Sequence, residues 1–267
     1  MYVNLLIFTR EVLLIFNKHA MNKFIKIPKT KIFERLIIII LLISLGFLLI
    51  RENYASRIIN RFEGGEFVYT YDKNPNFFKE TELYDYYKEK GNVVMLGNSI
   101  TYQCRWDELL QRHDIINQGI GSDITEGFLQ RMKYVFKTEP KVCFVMGGIN
   151  DLFGNFSSIK INSNIEKIID TLQSRDIEPV VYSILFVSKK YEENNLTLNS
   201  RIKETNKLLR RTCTNKGIEF IDLNKLMGND NSLKEEYSYD GLHINGFAYQ
   251  KWGEIIDPII KRKLGES

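Results

Sequence analysis

Val93 to Cys104 reads VVMLGNSITYQC. Four apolar residues run into Gly97, and a serine stands two places further on. A short, wholly apolar run that stops at a glycine has the signature of a strand buried on both faces. Ser99 then falls at the strand's tip. It is either a nucleophile or one more polar residue in a turn, and three distant segments bear on the choice.

From Asn92 onward the pattern alternates. RWDELLQRH is predicted helical, DIINQG is a second strand, and SDITEGFLQRMKYVFK is a helix. In that helix Ile124, Phe128, Leu129, Met132, Val135 and Phe136 recur at helical spacing, and Asp123 with Glu126 resembles a capping box. KVCFVMGG is the third strand and NSNIEKIIDTLQSR a helix. EPVVYSILF is the fourth strand, and the helix after it ends at Gly217. IEFIDL is the last strand and GFAYQKWGEIIDPIIKRKL a closing helix. Short apolar strands alternating with helices imply an α/β fold with a parallel sheet covered on both faces. In such sheets functional groups collect beyond the carboxyl ends of the strands.

Beyond the first strand stand Gly97, Asn98 and Ser99. Asn117, Gly119, Gly121, Ser122 and Asp123 follow the second, and Gly147, Gly148, Asn150 and Asp151 the third. The last strand is followed, past a loop, by YDGLHING with Asp240 and His243. A serine hydroxyl needs a base to become a nucleophile, and histidine serves near neutral pH. Of three histidines, His19 precedes the apolar N-terminal run and His113 is expected at a solvated helix end. His243 lies between turn residues with Asp240 three places before it, placed to set its tautomer. Backbone N–H groups at Ser99 and near Gly121 and Ser122, with the Asn150 amide, are candidate donors to an oxyanion. Gly97, Gly147 and Gly148 allow tight turns. Asp123 and Asp151 are expected to cap neighbouring turns.

These blocks resemble the SGNH hydrolase superfamily, the GDSL-like esterases and lipases, over roughly Asn92 to Lys263. LGNSIT resembles the first block, INQGIGSDIT the second, GGINDL the third and DGLHINGFAYQKW the last, and the wording resembles the small acetylhydrolase-like branch. The resemblance implies a flavodoxin-like three-layer α/β/α sandwich and a serine hydrolase that needs no metal or other cofactor. It implies Ser99 as nucleophile, His243 as base and Asp240 as its partner, with Ser99, Ser122 and Asn150 forming the oxyanion hole. Gly97, Asn98, Gly121 and Gly148 are supporting positions. Two residues depart from the family pattern. Asn98 stands where the family has aspartate, and Ser122 aligns with a family glycine.

The rest of the chain is read from charge and hydropathy. LIIIILLISLGFLLI, Leu36 to Ile50, carries no charge and follows the basic MNKFIKIPKTKIFER. It is expected to be an uncleaved transmembrane anchor with a cytoplasmic N-terminus and an extracytoplasmic domain. A cleaved secretion signal is the alternative, and Met21 is an alternative start. Up to Arg51 there are eight basic and two acidic residues, which leaves 29 basic and 31 acidic in the remainder. The net charge of +4 therefore belongs to the N-terminus, and the main domain has no footprint for nucleic acid. Cys104, Cys143 and Cys213 are odd in number and dispersed, which fits neither a disulfide framework nor a zinc site. The expected organisation is 1–51 tail and anchor, 52–90 stalk and amphipathic lead-in helix, and 91–267 hydrolase domain. The expected activity is hydrolysis of carboxylic esters, short acyl groups on glycans or lipids foremost. An O-acyltransferase with the same site, or a non-catalytic module binding a glycan or partner, is the alternative.

Overall fold

Five short strands build one parallel sheet. They are β1 (Val93–Gly97), β2 (Ile115–Gly119), β3 (Val142–Met146), β4 (Glu178–Tyr182) and β5 (Glu219–Ile221), in the order β2-β1-β3-β4-β5. The computed structural model describes residues 69–192 and 197–266, with Arg35, Ile38–Ile40 and Ser44 in the N-terminal part. Val68–Ser267 forms one compact unit. The strand order is that of the flavodoxin-like doubly wound sheet, whose direction of winding reverses between β1 and β3. Gly97 pairs in register with Gly119 of β2 and Met146 of β3, so the loops after these three strands leave at one rim.

The alternation of buried faces explains the layers. Val93 and Met95 of β1 join Phe144, Tyr182, Trp106, Trp252, Ile256 and Ile260 in one core. Val94 and Leu96 join Val145, Phe128, Val135, Ile165, Ile169 and Ile202 in the other. The first core lies under α2 (Ser99–Tyr102), α3 (Trp106–Leu110) and the closing helix. The second lies under α4 (Thr125–Gln130), α5 (Met132–Lys137), α6 (Ile149–Phe153), α7 (Ser158–Gln173) and the long helix after β4. The other α-helices among the described residues of this unit are α1 (Pro75–Tyr86), α8 (Lys189–Glu192), α9 (Leu198–Lys216), α10 (Asn224–Met227) and α11 (Gly246–Leu264). Trp252 is fully buried with its ring 4.8 Å from Trp106 and 4.9 Å from Tyr182. Burying a large apolar side chain of this kind stabilises by roughly 1.5–3 kcal/mol. All three cysteines are buried and unbridged.

Three local outcomes differ from the sequence pattern. The predicted helix from Asp123 is two helices, α4 and α5, divided at Arg131 (φ −112, ψ 15). Its capping box does not form. Ile124 is the N-cap, and Asp123 instead takes the Ile124 N–H at 2.9 Å and the Arg131 guanidinium at 2.7 Å. A hairpin of β6 (Gly228–Asn229) and β7 (Ser232–Leu233) also appears, turning at Asp230 and Asn231. Both turn residues have positive φ, a conformation that aspartate and asparagine tolerate. The predicted helix stop at Gly217 does form, with φ +67 and its N–H on helix carbonyls.

Of the expected membrane segment Leu36–Ile50, Ile38–Ile40 and Ser44 are described, helical and exposed; the rest lies outside the described residues. The expected stalk before Tyr69 lies outside them too. Among the described residues no helix is long and apolar enough to cross a membrane. The lead-in helix α1 packs on the domain through buried Phe77 and Tyr84, and Lys137 Nζ donates to the Tyr84 and Asp85 carbonyls at 2.8 Å.

Candidate active site

Ser99 opens α2, one residue past the end of β1 and its cap. The cap is Asn98, which is 1% exposed and whose Oδ1 accepts the Ile100 N–H at 3.0 Å. This is why asparagine serves where the family has aspartate: the helix needs an acceptor oxygen, and the amide supplies it without burying a charge. Tyr249 Oη, from α11, donates to the Ile100 carbonyl at 2.5 Å and pins the turn from the other side.

Ser99 Oγ lies 3.1 Å from His243 Nε2, although 144 residues separate them. His243 Nδ1 lies 2.8 Å from Asp240 Oδ2. Asp240 Oδ1 accepts the backbone N–H of His243 at 2.7 Å and of Leu242 at 2.9 Å. Partial burial pushes the Asp240 carboxyl up, but the His243 ring and the two N–H groups outweigh it and hold it below the usual carboxylate range. An ionised carboxylate only accepts, so the ring proton sits on Nδ1 and Nε2 is left to take the serine proton. Ser238 Oγ fixes the loop, donating to the His243 carbonyl at 2.6 Å and accepting the Gly241 N–H at 2.8 Å. His113, by contrast, is exposed in a bend away from these groups.

The loop after β2 is a turn closed by the Asp123 N–H on the Ile120 carbonyl at 3.2 Å. Ser122 is its third residue, with φ +60. Type II turns need a positive φ there and favour glycine, which accounts for the family glycine at this position. The left-handed position is Ser122 and not Gly121. Glycine at 122 should relieve about 1 kcal/mol of backbone strain and keep the N–H. Ser122→Gly is therefore expected to raise the urea midpoint without loss of activity, and a lower midpoint would show the serine is favoured for another reason.

Asn150 opens the turn of α6 behind Gly148, whose φ is +119 and where a Cβ would lie 2.6 Å from Ile184 Cδ1. Asn150 Nδ2 donates one hydrogen to the Asp123 carbonyl at 2.8 Å, which leaves the other available. Among the described residues the Ser122 N–H makes no hydrogen bond. The structure thus brings Ser99, Asp240 and His243 into one hydrogen-bonded chain, and ties Asn150 to the Ser122 loop. Gly97 ends β1 beneath Thr101, where a Cβ would lie 2.0 Å from Thr101 Oγ1.

Two buried groups hold these loops together. Arg131, fully buried, donates to Asp123 Oδ2 (2.7 Å), the Gln118 carbonyl (2.8 Å) and the Gly97 carbonyl (2.9 Å). Nothing in its local sequence marks it; an arginine on an otherwise apolar helix face, eight residues after an aspartate, is the only signal. Asp151 accepts the Thr125 N–H at 3.1 Å and the Thr125 hydroxyl at 2.5 Å, so the third block holds the start of α4. Burial drives the Asp151 carboxyl up to about 6, against the pull of those bonds. The folded chain therefore keeps a proton that the unfolded chain loses between about pH 4 and 6. This group's contribution to stability falls as pH rises through that window, by up to about 3 kcal/mol. Asp151→Asn removes that slope. Its stability relative to the parent is expected to increase from pH 4 to 6 in urea titrations, and a pH-independent difference would refute the assignment.

A sequence profile of the GDSL-like lipase/acylhydrolase family matches residues 95–251, and the chain belongs to that family, within the SGNH hydrolase superfamily. Solved structures agree in fold. A GDSL-like lipase from Bacteroides thetaiotaomicron superposes with a TM-score of 0.63 at 20% identity, covering 70% of this chain and 98% of that one. A lipase/acylhydrolase from Enterococcus faecalis gives 0.57 at 24%, covering 65% and 96%. An N-acylneuraminate cytidylyltransferase of Streptococcus agalactiae is 25% identical over 171 residues, 64% of this chain. The chain spans 39% of the length of that relative. Among the described residues no cluster of histidine, cysteine and acidic side chains is built to hold a metal ion.

Proposed function

We propose that the chain is a serine esterase that removes short acyl groups, acetyl foremost, from glycans or lipids. The observation that carries this is the Ser99–His243–Asp240 hydrogen-bonded chain at the carboxyl rim of the sheet. Ser99 Oγ bonds to the ester carbonyl carbon while its proton passes to His243 Nε2. The carbonyl oxygen takes up the negative charge, facing the Ser99 and Ser122 N–H groups and the Asn150 amide. Each such donor is worth about 10²–10³ in kcat. The tetrahedral intermediate expels the alcohol oxygen, which takes the proton from His243. Water then attacks the acyl-enzyme, His243 accepts its proton, and the carboxylic acid leaves as Ser99 regains its own.

A sugar ester is favoured over a long-chain lipid ester. The sequence carries no long apolar insertion to line an acyl groove, and one relative is named for its action on an acylated sugar acid. The uncharged segment Leu36–Ile50 behind a basic stretch supports anchoring, with the domain on the extracytoplasmic side. The test is turnover of 4-nitrophenyl acetate and butyrate by the whole chain, followed by product analysis on an O-acetylated sugar with a second glycan as acceptor. The expected result is faster cleavage of acetate and release of free acid. Acyl transfer to the acceptor would make the protein an acyltransferase, and rates no higher than those of Ser99→Ala would leave a binding module.

A further inference from the structure

The stretch from Gln118, at the end of β2, through the turn to Asp123 has no ladder partner at its tip, yet every one of its carbonyls is held. Arg131 takes Gln118, Tyr84 Oη reaches Gly119 (3.4 Å), and the Asp123 N–H takes Ile120. Asn74 Nδ2 (2.9 Å) and Asn76 Nδ2 (3.3 Å) both donate to Gly121, Tyr69 Oη to Ser122 (2.9 Å), and Asn150 to Asp123. Four of these donors, Tyr69, Asn74, Asn76 and Tyr84, come from the lead-in segment, which lies before the region matched by the family profile. The segment's Asn74 is 5% exposed, and its Oδ1 also caps α1 by accepting the Asn76 N–H at 3.1 Å.

The Gly121 carbonyl matters most because of the peptide it belongs to. In a trans peptide the C=O of one residue and the N–H of the next point in opposite directions, and the described chain has no cis bond. The Gly121 carbonyl and the Ser122 N–H are therefore two ends of one rigid plane. That plane is the middle peptide of the turn, the one whose flip interconverts type I and type II geometry. A serine at the third position favours the flip away from positive φ, yet Ser122 sits at +60. Something must hold the plane, and two amides grip its carbonyl end.

We propose that Asn74, aided by Asn76, is a positioning residue for the reaction: by gripping the Gly121 carbonyl it aims the Ser122 N–H at the oxyanion. The inference rests on the esterase reading for its catalytic consequence and on the turn geometry for its structural one. The lead-in segment is then part of the catalytic apparatus and not a passive spacer. Asn74 also couples two events, since the same side chain starts α1 and sets the turn.

The test uses the whole chain with Asn74→Ser, which keeps a good helix cap and loses the amide donor, and with the double variant N74S/N76A. The double variant is expected to lower kcat for 4-nitrophenyl acetate by about 10- to 100-fold, a share of what losing an oxyanion donor costs, with KM within about twofold. A purely structural role would lower the melting temperature and leave kcat alone. The independent readout is the amide residual dipolar coupling of Ser122 by NMR, which reports the N–H direction without catalysis. It is expected to change in the double variant while that of Ile100 stays. An unchanged Ser122 coupling overturns the proposal, as does a changed coupling with unchanged kcat. Should the parent cleave no ester faster than Ser99→Ala, the esterase reading fails, and the coupling still decides whether Asn74 sets the plane.

Discussion

Alanine at position 99 is expected to lower kcat for 4-nitrophenyl acetate by about 10⁴- to 10⁶-fold and to leave the far-ultraviolet circular dichroism unchanged. The side chain is small and half-buried, and its one side-chain hydrogen-bond partner among the described residues is the His243 ring, so little packing is lost. His243→Ala should fall as far, because the hydroxyl then has no acceptor for its proton. The double variant should be no worse than either single, since groups that act as one unit are not additive. A residual rate is expected in all three, from donors at Ser122 and Asn150 that remain in place. An additive double variant would mean that the two residues act separately and that the 3.1 Å contact is not the catalytic one. A rate unchanged in Ser99→Ala would remove the serine mechanism altogether.

The second large effect is on stability. Arg131 and Asp123 side chains are both wholly inaccessible to solvent and 2.7 Å apart. Forming such a pair gains little net, because both charges are desolvated, but removing one partner strands the other. Arg131→Met should therefore cost about 3–5 kcal/mol, roughly a fifth or more of the stability a domain commonly has. Replacing both, as R131M/D123L, should recover only the share due to the stranded charge, because the Gln118 and Gly97 carbonyls and the Ile124 N–H lose their partners as well. Urea unfolding of the two variants measures this. A single variant within about 1 kcal/mol of the parent would show that water or a side-chain shift compensates. On the proposed mechanism, activity should fall with R131M even well below its melting temperature, because the same guanidinium joins the end of β1, beside Ser99, to the loop that carries Ser122.

Much of this was legible in the sequence, and what was not has a common cause. The closing helix runs from Gly246 to Leu264, the span its pattern predicts, because Asn245 caps it locally through the Ala248 N–H. The stop at Gly217 was legible for the same reason. The break at Arg131 was not. The apolar spacing runs straight across it, and what breaks the helix is a guanidinium turned inward to carbonyls on two strands. The grip of Asn74 was invisible in the same way, since its partner is 47 residues away. The chemistry-bearing residues announced themselves by type and by position after strands. The residues that hold them did so by contacts across the fold, and a sequence carries no local mark of those. The hairpin turn at Asp230 and Asn231 is a different case, because its two turn-forming residues were a usable signal.

Asp240 and His243 ride together on one short arm between Leu233 and Gly246, while Ser99 belongs to the middle of the sheet. Among the described residues the arm is moored by buried Tyr237 and Ile244 and by the Ser188 N–H to the Gly241 carbonyl at 2.8 Å. The Asp240 carboxylate is bonded to the His243 ring and to the arm's own backbone. If the arm lifts, Asp240 and His243 leave as a finished pair, and the gap opens at Ser99. Mild heat or denaturant would then silence the protein at a stage when its sheet is still whole and its ion pair at Asp123 still dry. The wound is a separation of two intact halves, and cooling closes it without any strand having to fold again.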